Sequence, residues 1–423
     1  MARTLLAQLT CPHCWHECRA DELPWVATHP DLRGDPRLGP DDGLRFTPTR
    51  FEPSCEAIDP LGGRCSEFAC PRCHLVIPPI LLERPLTIYS IAGAPGSGKS
   101  CTLAAAVREM RRVFATTFSL AVVDADPVAS EPLRRHEETL FMATDDEAPV
   151  MLPKTELAEG PYRSVLMEPG VSVMLPRPFI YSVRPQGTHP NAPVADGCTH
   201  LMCLYDNAGE HFRPGADTAS QPGSQHLGRA SILLFVMDPT QDARFRPILS
   251  AISADPQLAL EPRSERQEVL LAEMANRVRT HSGLAAGERL RKVLMVLVAK
   301  CDIWSKLIAE DLERDPYWTN SENGRTLGFV DTKRVDRVSG AVREMLKRFS
   351  PEFVATAEDA CERVLYVPVS AFGASPALDP ATGLLRIKPR EIRPRWVTVP
   401  FAYALSRWAT TLIGSNKSST NGA

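Results

Sequence analysis

No stretch of the 423-residue sequence is apolar for long enough to cross a bilayer, the longest runs being residues 231–237 and 293–299. Residues 1–10 also lack the full apolar core and cleavage site of a secretory leader. Charge of one sign is scarce too. Lys and Arg number 48 against 51 Asp and Glu, a net charge of −3, so no global attraction to nucleic acid or to an anionic membrane surface is implied. Internal repeats are absent. These absences point to a soluble protein, expected in the cytoplasm, and its 43% of hydrophobic residues can bury a large core.

Two residue types are plentiful. The 38 prolines concentrate in the first segment and in connections, which argues for long irregular loops. Of the 12 cysteines, seven precede His74. In a reducing compartment such a cluster is read as metal ligands rather than disulfides. Cys11-Pro-His-Cys14 and Cys70-Pro-Arg-Cys73 each put two thiolates on a tight turn, so together they offer Cys11, Cys14, Cys70 and Cys73 to one tetrahedral Zn²⁺. Four thiolates leave no open position for a catalytic water, so the ion would be structural. Residues 24–63 read as a loop-like insertion inside this zinc-ribbon-like unit. Cys18, Cys55, Cys65, His13, His16 and His74 are further candidate ligands, for a second ion or a different set.

The organising stretch comes next. Residues 88–102 read Ile-Tyr-Ser-Ile-Ala-Gly-Ala-Pro-Gly-Ser-Gly-Lys-Ser-Cys-Thr, in which Gly93, Gly98, Lys99 and Ser100 fill G-x-x-x-x-G-K-[ST], the phosphate-binding loop. An apolar run at 86–92 precedes it and a helical pattern at 102–113 follows. Backbone N–H groups from Gly93, Ala94, Pro95, Gly96, Ser97, Gly98, Lys99, Ser100 and Cys101 (proline excepted) would line a phosphate cradle at a helix N-terminus. Lys99 would reach the β- and γ-phosphates, and the Ser100 hydroxyl would hold Mg²⁺.

Further strands are predicted at 118–125 (buried, ending in Asp124), 171–183, 199–205, 231–236, 293–298 and 364–369. Helices are predicted at 262–281, 335–349, 351–363 and 399–413, and mostly loop at 134–170. Strands alternating with helices after a phosphate loop give an α/β fold with a mainly parallel sheet. The expected organisation is a zinc-ribbon-like domain at 1–76, a linker at 77–85, a three-layer P-loop NTPase domain with insertions at 86–413, and a solvated tail at 414–423.

Three later stretches name the base. Asp206-Asn-Ala-Gly209 fits D-x-x-G at a strand end, where Asp206 holds Mg²⁺ through water and the Gly209 N–H faces the γ-phosphate. Lys300-Cys301-Asp302 fits K-x-D, in which the Asp302 carboxylate accepts from guanine N1–H and the 2-amino group while the Lys300 stem covers the base. Ser370-Ala371 supplies a turn whose N–H groups face guanine O6. Adenine has an acceptor at N1 and no 2-amino group, so it leaves Asp302 without donors. GTP is therefore favoured over ATP.

These four motifs resemble those of the translation-factor/Ras-like class of P-loop GTPases. The cysteine-rich start and the Asp-Asn-Ala-Gly-Glu stretch more particularly resemble bacterial double-GTPase proteins of multi-gene conflict systems. That resemblance implies a Mg²⁺-dependent, GTP-hydrolysing switch with protein partners in such a system. It also implies a switch threonine before residue 171, for which Thr155 is chosen and Thr144 is second. Two positions depart from the pattern. Ala299 stands where relatives carry Asn or Thr, removing a tie between base loop and phosphate loop. Glu210 stands where many carry Gln or His to orient the attacking water, with His211 next to it. Within GTPases, Asp124 and its flanks also resemble the signal-recognition and ParA/MinD-like class, whose second strand is parallel. The antiparallel Ras-like arrangement is preferred. Outside GTPases, an ATP-using P-loop enzyme and a non-hydrolysing scaffold stay open. Nucleic acid binding through the ribbon has no support in the sequence.

Overall fold

A computed structural model of the chain describes residues 5–151, 162–167, 170–207, 225–260 and 266–415. Its centre is a seven-stranded sheet: β1 (Leu86–Gly93), β2 (Leu120–Asp124), β3 (Phe179–Pro185), β4 (His200–Asp206), β5 (Ile232–Met237), β6 (Leu290–Val298) and β7 (Cys361–Pro368). The spatial order is β2-β3-β4-β1-β5-β6-β7. From β4 to β7 every pairing is parallel, whereas β3 runs antiparallel to both β4 and β2. Every residue of β5 is inaccessible to solvent, which requires cover on both sheet faces. The helices supply it: α1 (Lys99–Thr117), α2 (Glu131–Phe141), α3 (Gln267–His281), α4 (Thr332–Phe349), α5 (Pro351–Ala360) and α6 (Val399–Trp408). Among the described residues no helix is long and apolar enough to cross a membrane.

The expected strands and helices recur with shifted ends, and several differences have clear causes. The apolar run at 171–183 is two strands, because Arg177 and Pro178 interrupt it. Val171–Pro176 forms its own hairpin with Tyr162–Met167, and only Phe179–Pro185 joins the central sheet. Most of the described residues of 134–170 lie in regular elements rather than loop, since α2 crosses the start of that range and strands lie at Val150–Met151 and Tyr162–Met167. The polar face of α2 hides the helical pattern, and Arg111 of α1 anchors it through paired hydrogen bonds to the buried carboxylate of Glu137. The strand ending in Asp124 is a sheet edge rather than a buried strand, with Val123 44% exposed. An unforeseen hairpin, Tyr317–Glu322 with Arg325–Val330, packs Phe329 against Gly414 in a short parallel pairing, so the first two residues of the expected tail are structured.

Among the described residues, 5–76 form four short antiparallel pairs rather than a continuous sheet. The insertion at 24–63 is held by buried carboxylates together with apolar contacts, Trp25 lying edge-on to Phe51 and Phe68. Asp59 accepts from the backbone N–H groups of Thr28, His29, Leu61 and Gly63, which holds its carboxyl below the ordinary range despite burial. Asp35 receives the His74 ring nitrogen at 2.7 Å and the backbone N–H groups of Arg37 and Leu38. Residues 77–85 are packed as well, with Ile77 and Leu81 buried.

Candidate functional site

The turn between β1 and α1 is built from glycine where no other residue fits. Gly93 (φ 150°) has so little room that an added Cβ would meet the Val236 carbonyl oxygen at 2.6 Å. Gly96 (φ 70°) and Gly98 (φ 90°) occupy the left-handed region that side chains disfavour. Lys99 and Ser100 begin α1, both buried. Lys99 Nζ folds back to donate to the carbonyls of Gly93 (3.1 Å) and Ala94 (2.9 Å). The loop therefore carries its own cation at its mouth.

Asp206, at the end of the neighbouring strand β4, accepts a 2.5 Å hydrogen bond from Ser100 Oγ on one oxygen. Its other oxygen, Oδ1, is buried without a hydrogen-bond partner among the described residues, as is Ser97 Oγ in the loop. Burial pushes the Asp206 carboxyl up, opposed by the nearby Lys99 charge and the Ser100 hydroxyl. Buried oxygens left unpaired beside a buried ammonium fit a hydrated divalent cation and an anion. Asn207, which no motif reading singled out, fixes the strand end by donating from Nδ2 to Ser90 Oγ (3.0 Å) and to the Ile91 carbonyl (2.7 Å). Thr155, Gly209 and Glu210 lie outside the described residues.

The other candidate stretches close the same edge of the sheet. β6 ends at Val298, and Lys300 (φ 57°) caps a single helical turn, Cys301–Trp304. Ala299 N–H donates to the Met237 carbonyl (2.8 Å) and Cys301 N–H to that of Val369 (3.1 Å), so the turn is clamped between β5 and β7. Asp302 and Ser370 are brought together, with burial pushing the Asp302 carboxyl up and a hydrogen bond from the Ser370 side chain opposing it. Ser370 Oγ also accepts from the Gly373 N–H at 2.7 Å, which defines the turn that contains half-buried Ala371. The Gly93–Ser100 turn, Asp206, the Lys300–Asp302 turn and the Ser370–Ala371 turn all sit where parallel strands end, the edge at which open α/β sheets take ligands.

The cysteines form a second centre. The sulfurs of Cys11, Cys14, Cys70 and Cys73 lie within 4.8 Å of one another and all four residues are buried. Cys11 and Cys73 are 3.8 Å apart and Cys14 and Cys70 are 3.6 Å apart. Four ligands about 2.3 Å from a tetrahedral zinc would be spaced by about 3.8 Å. The two turns repeat one geometry. In each, the N–H two residues on donates to the first cysteine sulfur: His13 to Cys11 at 3.4 Å, and Arg72 to Cys70 at 3.3 Å. In each, the residue after the second cysteine is left-handed, Trp15 and His74. Such N–H···S contacts favour thiolates. The group can therefore bind a metal such as zinc. Cys18, Cys55, Cys65, His13, His16 and His74 do not join it. His13 contacts the Val76 carbonyl, and His74 is engaged by Asp35.

No family model and no curated protein matches the chain. Among solved structures it is similar to a crystal structure of sup35 complexed with GDP, at 14% identity and a TM-score of 0.24. The match covers 68% of this chain and 38% of that one, so the chain spans well under half the length of that neighbour. A likeness at that level carries no argument about the site.

Proposed function

We propose that the chain is a P-loop GTPase of the Ras-like arrangement: a Mg²⁺-dependent switch that binds GTP and hydrolyses it to GDP and phosphate. The observation that carries the reading is the pairing of Ser100 with Asp206 beside the buried Lys99, with Asp206 Oδ1 left unpaired. Ser100 directly, and Asp206 through water, would hold Mg²⁺, which when bound screens the charge of the phosphates. Lys99 would exchange its two loop carbonyls for phosphate oxygens. Asp302 would read guanine N1–H and the 2-amino group, steadied by the Ser370 side chain.

The strand order favours the Ras-like arrangement over the ParA/MinD-like one. β3, the strand that precedes β4, runs antiparallel to it, and β3 and β4 stand between β2 and β1. Asp124 is also used locally, accepting from the Asp126 N–H and the Ser130 hydroxyl. The conflict-system role and its protein partners rest on the sequence resemblance. The test is calorimetric titration with GTP and ATP on wild type and Asp302→Ala. Guanine preference in the wild type, lost in the variant, is the expected result. Equal uptake of both nucleotides by the wild type sinks the base assignment. Phosphate release at saturating GTP then separates a hydrolase from a nucleotide-bound scaffold.

A further inference from the structure

Residues 238–258 bring to the base loop a set of side chains that no motif claims. Asp238, at the end of β5, is wholly buried. Lys300 Nζ donates to Asp238 Oδ2 (2.7 Å), Thr240 Oγ1 (2.9 Å) and Gln257 Oε1 (2.8 Å), which uses all three ammonium protons. The other oxygen of Asp238 accepts from the Thr240 N–H (3.0 Å) and hydroxyl (2.7 Å). Its backbone is clasped to α3, since Asp238 N–H donates to Gln267 Oε1 (2.7 Å) and Gln267 Nε2 donates to the Asp238 carbonyl (2.9 Å). Gln241 extends the set across to the phosphate loop. Its Nε2 donates to Asp238 Oδ2 (3.1 Å) and reaches the Pro95 carbonyl at 3.5 Å. Its Oε1 is buried without a partner among the described residues.

We infer that Asp238 and Gln241 are positioning residues for the purine, a reading that rests on the nucleotide site proposed above. Lys300 adopts a left-handed backbone at the head of the turn that carries Asp302, so fixing its side chain fixes the peptide on which the base reader stands. Asp238 is the fixed point, and Gln241 ties it to the loop that cradles phosphate. The pair sets the distance between the two ends of the ligand. At position 299 an alanine cannot make that tie, and Gln241 makes it from the neighbouring strand end. A guanine nucleotide spans both ends and gains from the fixed distance, whereas a bare triphosphate does not.

The experiment is calorimetry with GDP and with inorganic tripolyphosphate, on wild type, Gln241→Ala and the double variant Gln241→Ala/Ala299→Asn. Each protein is first checked for an unchanged melting temperature, and Asp238→Asn serves as a shape-conserving second probe. Loss of the tie weakens GDP binding by about tenfold. Tripolyphosphate binding stays at the wild-type level, and the added asparagine recovers most of the loss. Unchanged GDP binding in both Gln241→Ala and Asp238→Asn, with a wild type that binds GDP, overturns the inference alone. So do equal losses for GDP and tripolyphosphate, or no recovery in the double variant. A wild type that binds no guanine nucleotide overturns the site reading itself.

Discussion

The indole N–H of Trp15 donates to the hydroxyl of Tyr205 at 3.1 Å, and that hydroxyl in turn donates to the Pro12 carbonyl. Trp15 follows Cys14 and Tyr205 precedes Asp206, so the cysteine centre and the candidate cation ligand are one residue away from a shared buried hydrogen bond. The imidazole of His226 lies against both rings, at centroid distances of 5.4 Å from Trp15 and 4.7 Å from Tyr205. Glu17 adds an ion pair to Arg229 at 2.7 Å. On another side, Asp42 receives Arg163 at 2.8 Å, and the Arg37 carbonyl accepts from the Leu166 N–H. The cysteine-rich segment is thus fastened to β4, to Arg229 and to the hairpin that begins at Tyr162.

Trp15→Phe keeps the aromatic stack and removes one buried donor. Tyr205 retains Pro12 as an acceptor, so the loss is a single net hydrogen bond of about 1 kcal/mol. In a chain of 423 residues the melting temperature is expected to fall by about 1 °C. Differential scanning calorimetry with the metal content held constant measures it, and no change would mean that the contact contributes nothing.

The cysteine centre makes a stoichiometric prediction. One zinc per chain is expected by elemental analysis, lost in Cys70→Ser and kept in Cys18→Ser and Cys65→Ser. Cys70 is the sulfur toward which three neighbouring thiols turn, which holds it on the thiolate side, while burial pushes Cys11 and Cys73 up. An ion is what resolves that conflict, since it deprotonates all four. Chelation is therefore expected to lower the melting temperature far more than Trp15→Phe does. Retention of a full equivalent of zinc in Cys70→Ser would require another ligand set.

Much of this was legible in the sequence, because the motifs are local and the strands before them are apolar. Gly93 to Ser100 form their turn from eight consecutive residues, and C-P-x-C dictates its own turn. What the sequence hid is mostly long-range or polar. α2 escapes detection because Glu137 is buried by an ion pair with Arg111, which breaks the apolar periodicity. Asp238 and Gln241 sit in a short stretch without a pattern and Asn207 fills a free position of D-x-x-G, so their meaning appears only when strand ends converge. Tyr205 reads as another apolar strand residue until its hydroxyl is seen to meet Trp15, 190 positions away. The break at Arg177-Pro178 was visible as a proline, yet only the sheet register shows that the two halves pair with different partners.

Asp315 gives a prediction that does not involve ligands. Burial pushes its carboxyl up to about 6, reinforced by Glu109 and opposed by Arg112 and Arg334. An acid whose folded value lies above its unfolded one destabilises the fold when ionised. The penalty is absent below about pH 4, grows as pH rises toward 6 and is complete above it. Asp315→Asn keeps an oxygen for the Trp396 N–H and removes the charge. Its stability gain is expected to be about 1–3 kcal/mol at pH 8 and to shrink toward pH 4. Denaturant melts at both pH values measure it; a gain independent of pH would assign the effect to packing instead.

Lys99→Ala separates the two centres. The Lys99 ammonium spans two carbonyls of its own loop, and its charge offsets the burial of Asp206. Removing it leaves those carbonyls to water and Asp206 with a still higher tendency to protonate. The cradle then loses both its cation and the ionised partner for Mg²⁺. Triphosphate affinity is expected to drop by about a hundredfold or more, corresponding to the loss of a charge-assisted contact of about 3 kcal/mol. Zinc content is expected to stay at one per chain, because no cysteine ligand touches the loop. Calorimetry and elemental analysis on the same preparation read both quantities. Undiminished GTP binding would move the phosphate site away from Gly93–Ser100, whereas joint loss of zinc and nucleotide would show that the two centres fold as a unit.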